Sequence, residues 1–116
     1  MIKNFGGLNV GVEVGGYAVK ISFLDKMVFK TISSEEMMET AKAVVAEIGR
    51  NFDETEIIIA LTLGTVRENR KNANILSDMR AEARYMKAIG FEELGPMIDS
   101  SEKDMNGLVF TQYIAY

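Results

Sequence analysis

Five polar residues, Arg67, Arg70, Lys71, Asn72 and Asn74, crowd into eight consecutive positions. An apolar run, Ile57-Ile58-Ile59-Ala60-Leu61, precedes them, and a long amphipathic segment closed by Gly90 follows. Guanidinium forks, amide side chains and the backbone N–H groups of a helix start are the donors that hold a phosphate or carboxylate, and such charge-assisted hydrogen bonds are stronger than neutral ones. Arg80, Arg84 and Lys87 follow at i, i+4 and i+7, a spacing that projects them from one exposed side of a helix. The plain alternative for the same residues is a solvated loop that ends in a helix cap.

The remaining chemical repertoire is narrow. The chain has neither histidine nor cysteine, which excludes Ser-His-Asp and Cys-His nucleophiles, Cys/His zinc sites and the usual haem or iron–sulfur ligands. An all-carboxylate magnesium or calcium site stays open. Glu35, Glu36 and Glu39 cluster, but acids in the first turn of a helix are accounted for by the helix dipole. No cofactor and no metal is assigned, and binding rather than catalysis is expected.

Charge is unevenly placed. The chain carries −4 overall, yet Arg67 to Lys87 holds six basic and three acidic residues, a local +3 that leaves −7 elsewhere. A small basic patch on an acidic body suits a small anionic ligand, whereas extended nucleic acid needs a broad basic footprint. The 116 residues are 47% hydrophobic and 26% charged with a single proline, the composition of one ordered globular domain that buries roughly 65% of its unfolded surface. No apolar run approaches the roughly 20 residues of a membrane helix. The first seven residues lack the apolar block of a signal peptide, so a cytoplasmic location without membrane attachment is expected.

The elements that must position these residues follow from periodicity. Leu8 to Val14 and Tyr17 to Leu24 alternate as half-buried strands. A two-residue Gly15-Gly16 turn between them would pair Val14 with Tyr17, Val12 with Val19, Val10 with Ile21 and Leu8 with Phe23. A third strand is expected over Met27 to Ile32. Ser33-Ser34-Glu35-Glu36 is a capping box opening a helix, with Met37, Met38, Ala41, Val44, Val45 and Ile48 on its apolar side and Gly49 at its end. Ile57 to Leu63 reads as an interior strand. Asn72 or Asn74 would cap a second helix whose inward stripe is Ile75, Leu76, Met79, Ala83, Met86 and Ile89. Phe91 to Leu94 reads as a short strand interrupted by Gly95-Pro96, Asp99 to Asn106 as a polar loop, and Leu108 to Tyr116 as a terminal strand.

Two stretches resemble known families. Val10-Gly11-Val12-Glu13-Val14-Gly15-Gly16-Tyr17, running on to Phe23-Leu24-Asp25, looks like the first phosphate-binding hairpin of the actin-like ATPase and sugar-kinase superfamily. Glu13 stands where that family has aspartate, and Tyr17 where threonine is usual. Ala83-Arg84-Tyr85-Met86-Lys87-Ala88-Ile89-Gly90-Phe91 is similar to the helix that precedes the penultimate strand of GNAT-type N-acetyltransferases. The order of elements from Leu8 onward agrees with the later part of that fold, which would imply a small acyltransferase-like enzyme. The glycine-rich pyrophosphate loop of those enzymes is replaced by Thr31-Ile32-Ser33-Ser34-Glu35-Glu36.

These readings converge on an α+β domain spanning residues 1–116: a mixed, mostly antiparallel sheet of five to six strands with two helices, in the order βββ-α-β-α-β(β). The first functional expectation is a non-catalytic module holding a nucleotide or other phosphate-bearing ligand at the strand-to-helix junction through Arg67, Arg70, Lys71, Asn72, Asn74, Arg80 and Arg84. The second is a protein-interaction adaptor or inhibitor acting through its acidic surface or a strand edge. A homodimer is also expected, because a long hydrophobic terminal strand left as an open edge invites pairing.

Overall fold

The computed structural model describes residues 2–71, 74–99 and 107–115. Among the described residues six strands form one sheet: β1 (Ile2–Phe5), β2 (Leu8–Val14), β3 (Ala18–Phe23), β4 (Glu56–Thr65), β5 (Phe91–Asp99) and β6 (Leu108–Ala115). Their order across the sheet is β1-β2-β3-β4-β6-β5. Among these strands β3 and β4 pair in parallel, and the other pairings are antiparallel. The expected α+β class and mixed, mostly antiparallel sheet are therefore present. The described residues also form three α-helices: α1 (Ser34–Glu47), the short α2 (Val66–Lys71) and α3 (Ile75–Ala88).

Alternation along the strands supplies the core. Val10, Val12, Val19, Ile21 and Phe23 share one face with Ile57, Ile59, Leu61, Leu63 and Tyr113, and all are buried. They pack with Met37, Ala41, Val44 and Val45 of α1 and Met86 of α3 in a single cluster. Each such aliphatic side chain contributes roughly 1.5–3 kcal/mol on burial. The parallel β3–β4 contact requires a crossover, and α1 makes it over this face. Ser33 caps α1 by accepting from the Glu36 amide at 3.2 Å, as the capping-box pattern predicts.

Several expectations are corrected. The hairpin after Val14 is two residues out of the expected register: Val14 pairs with Val19, Val12 with Ile21 and Val10 with Phe23. A two-residue shift keeps every side chain on its face, so the core set survives. It leaves Val14 53% and Tyr17 89% exposed at the tip. The Arg50 guanidinium donates to the carbonyls of Gly15 and Gly16 at 2.8 and 3.1 Å, and neither glycine takes a positive φ. The glycine pair that forms a two-residue primed turn is Gly6-Gly7, at φ 57° and 90°, joining Phe5 to Leu8.

Met27 to Ile32 is not a strand. Met27 is left-handed at φ 53°, and Val28–Lys30 forms a 3-10 turn that buries Val28 and Phe29. The place beside β3 is taken by the parallel β4, so the chain must leave the sheet there to begin its crossover. The third strand of the opening meander is instead β1, at the N-terminal side.

At the other end, β5 runs through Gly95-Pro96 with a register irregularity between Glu93 and Gly95. The proline is tolerated because β5 is an edge strand. β6 forms as expected but lies between β4 and β5 rather than at an edge. The premise for strand addition or dimerisation along Leu108 to Tyr116 is thus overturned, since both sides of that strand are already paired. The expected loop residues 100–106 lie outside the described residues.

Replacing Ser33 by alanine removes the side-chain acceptor at the start of α1 and is expected to destabilise the protein by about 1 kcal/mol. Urea unfolding of S33A measures this, and an unchanged midpoint would show that the cap contributes nothing.

Candidate functional site

The junction after β4 is a helix rather than a loop. Thr65-Val66-Arg67-Glu68 is itself a capping box: the Glu68 amide donates to Thr65 Oγ1 at 3.2 Å, and Glu68 Oε2 accepts from the Thr65 amide at 3.1 Å. That four-residue signal was available in the sequence, hidden by the density of charge around it. The same Glu68 oxygen accepts from Lys26 Nζ at 2.7 Å. This hydrogen bond with Lys26, aided by the Thr65 amide, holds the Glu68 carboxyl below the usual carboxylate range.

Glu68 therefore fills the place at the α2 N-terminus that an external anion would need. The expectation that free amides of a helix start hold the ligand is corrected for this helix. Asn74 precedes α3 without a side-chain capping bond. Asp78, in the first turn of α3, pairs with Lys30. Asn72 lies outside the described residues, and Lys71 ends α2.

The basic side chains remain accessible. Arg67 and Arg70 are exposed on α2, and Arg80, Arg84 and Lys87 are exposed along α3 as their spacing predicts. Arg67 and Arg70 lie just beyond the carboxyl end of β4, the end of a parallel pair at which open α/β sheets bind ligands. Within α2, the Asn69 side-chain nitrogen is buried without a hydrogen-bond partner among the described residues. On the β3 side of the junction, Asp25 is engaged by Asn9, whose amide and side chain donate to it at 3.0 and 3.3 Å.

Two grooves beside α1 carry acidic side chains. One groove of about 420 Å³ lies between the β1–β2 turn and α1, lined by Phe5, Leu8, Ile32, Glu36 and Glu39. Another of about 420 Å³ runs between α1 and the end of α3, past Glu35, Met38, Glu39 and Lys42.

The inward stripe of α3 differs from the expected one. Leu76 is exposed, while Asp78, Glu82 and Met86 are buried. Glu82 is 0% exposed, and its Oε1 accepts from the Tyr113 hydroxyl at 2.6 Å. Its Oε2 and the Thr111 hydroxyl are buried without partners among the described residues. Burial pushes the Glu82 carboxyl up to about 7, with the charges of Glu93 and Asp78 adding to the rise against the Tyr113 hydrogen bond. The Tyr113 phenol is raised by the same burial and by Glu82. Burial raises Tyr85 to about 12, with the Glu36 charge adding to it.

Apolar periodicity could not find Glu82, because a charged residue on a helix is assigned to the solvent side. Tyr113 is 1% exposed, and its hydroxyl is committed to Glu82.

Comparisons with known proteins place the chain in no family: no family model, curated protein or solved structure matches it.

Two outcomes are expected. Below pH 4.5, Glu82 is protonated in folded and unfolded chains alike. As pH rises towards 7 only the unfolded chain ionises freely, so stability falls by about 3 kcal/mol across that window. E82Q removes this loss: urea midpoints at pH 5 and pH 8 should converge in the variant and differ in the native protein, and equal slopes in both would refute the assignment. At Gly64, φ is 135° and an added Cβ would lie 2.9 Å from Glu68 Oε2 and 3.0 Å from Lys26 Cε. G64A is expected to cost roughly 1–3 kcal/mol, measured by the same unfolding, and wild-type stability would contradict it.

Proposed function

We propose that the protein is a binding module rather than a catalyst, and that it holds a small phosphate- or carboxylate-bearing ligand, such as a nucleotide, at the carboxyl end of β4. The observation that carries this reading is the exposed guanidinium pair of Arg67 and Arg70 on a short helix braced at its root. Lys26 and Glu68 pair with each other there, and the Arg67 and Arg70 side chains lie exposed beside them.

Arginine suits this role because its planar fork meets a carboxylate or phosphate with two parallel hydrogen bonds. The contact is through side chains, since Glu68 already closes the first turn of α2. Arg80 and Arg84 extend the positive field along α3 and would raise the local concentration of anions around an otherwise acidic body. The affinity of such an exposed site falls with ionic strength.

The reading is tested by following thermal unfolding with ATP, pyrophosphate and a dicarboxylate in turn. A ligand at a hundred times its dissociation constant adds about 2.7 kcal/mol to stability. The shift should disappear in R67A/R70A and shrink at high salt. Absence of a shift with every phosphate- and carboxylate-bearing compound would refute the reading, as would a shift that R67A/R70A retains.

A further inference from the structure

The two 14-residue helices are held on the sheet by different means. α1 buries Met37, Ala41, Val44 and Val45. α3 buries one apolar side chain, Met86, together with two carboxyl groups, Asp78 and Glu82. Its other apolar residues at the core, such as Ile75 and Met79, stay partly exposed. We propose that α3 is a pH-sensitive latch: it rests on the sheet while Glu82 keeps its proton, and lifts away by itself, with α1 and the strands in place, when that carboxyl ionises.

The polar ties of α3 to the rest of the domain differ in what they can carry. Lys30 pairs with Asp78 and is committed there. The Tyr85 hydroxyl donates to the Ile32 carbonyl at 3.4 Å, the far limit of a hydrogen bond. The short bond is that of the Tyr113 hydroxyl to Glu82 Oε1 at 2.6 Å. Since Oε1 already accepts, a neutral Glu82 carries its proton on Oε2, where the Thr111 hydroxyl is the polar group at hand. One proton placed there satisfies both orphaned buried atoms at once.

Ionisation removes that arrangement. The groups facing Glu82 are Tyr113 and Thr111 of β6, Glu93 of β5, and Asp78 one turn earlier on α3. Among the described residues no cation pairs with it. The carboxylate would be left with two hydroxyls and two neighbouring acids, shut away from water, which is costly. Lifting α3 returns the charge to solvent and uncovers little fully buried apolar surface of the helix itself. Elements held by few buried apolar contacts are the ones that open below the global unfolding limit. Gly90, at φ 94°, joins α3 to β5 and gives the chain a joint there, while β5 keeps its own pairing to β6. Arg80, Arg84 and Lys87 ride on α3, so the state of one proton also moves the basic stripe.

The direction follows from linkage. Undocked, Glu82 titrates at its ordinary 4.5, and docked it is pushed up to about 7. Docking is therefore strongest in acid, weakens as pH rises between those values and levels off above them. Between pH 5 and pH 8 the docking constant falls roughly fifty- to a hundredfold.

Residue-resolved amide hydrogen exchange, expressed as protection factors at pH 5 and pH 8, tests the latch. Protection of the α3 amides should fall by that factor. At pH 8 it should lie about tenfold or more below that of α1 and β4, and respond only weakly to low urea, because a local opening exposes little surface. E82Q keeps an acceptor for Tyr113 and has nothing to ionise, so its α3 should be equally protected at both pH values. Equal protection of α3 and α1 at pH 8 would overturn the proposal by showing that the domain opens as a whole. So would α3 protection that is indifferent to pH in the native chain, or an E82Q variant that keeps the native pH dependence. The comparison of α3 with α1 is made within the native chain, so it decides even where E82Q does not fold.

Discussion

The burial of β4 on both faces and along both edges is the constraint from which the rest of the architecture follows. Its side chains from Ile57 to Leu63 are buried or half-buried throughout. β3 runs beside it in parallel and β6 antiparallel. The parallel neighbour obliges α1 to cross over one face. The antiparallel neighbour arrives last in the chain and occupies a place that the α2–α3 segment must leave vacant. The sheet therefore closes only when β6 is inserted between β4 and β5. Residues more than forty positions apart then come into register, as when Thr62 pairs with Phe110.

The same insertion creates the buried polar pair. β6 carries Tyr113 and Thr111 onto the helix-covered face, directly beneath α3, where Glu82 meets the Tyr113 hydroxyl. A carboxyl in that position is most comfortable with its proton on, since the ionised form would be held away from water beside Glu93 and Asp78. The pair ties α3 to the last strand by a bond stronger than dispersion alone, while exposing the fold to a pH-dependent penalty. At the end of β4 the polar contacts serve a different purpose. Lys26, Glu68 and Thr65 lock a six-residue helix onto the sheet, with Arg67 and Arg70 exposed on it.

Having both long helices on one face has a consequence for the other. The opposite face keeps strand alternation, but its residues are not uniformly polar: Ile58, Ile114 and Phe110 interrupt Lys20, Ser22 and Gln112. Acidic side chains also line the grooves beside α1, at Glu35, Glu36 and Glu39.

Local signals in the sequence determined a good part of this protein. Alternation named the buried faces of β2, β3 and β4, because a two-residue period survives a two-residue register error. The Ser33 capping box placed the start of α1, and the i, i+4, i+7 spacing placed Arg80, Arg84 and Lys87 on an exposed side. The missing histidine and cysteine narrowed the chemistry without any coordinates. Tertiary structure decided what depends on neighbours distant in the chain. Arg50 reaching across to the Gly15 and Gly16 carbonyls accompanies the displaced hairpin turn, and β4 claiming the edge of β3 turned Met27 to Ile32 away from the sheet. Tyr113 arriving beneath α3 made a carboxylate part of the core. In each case the partner is more than thirty residues away, so the free energy that fixes the conformation has no local trace in the sequence.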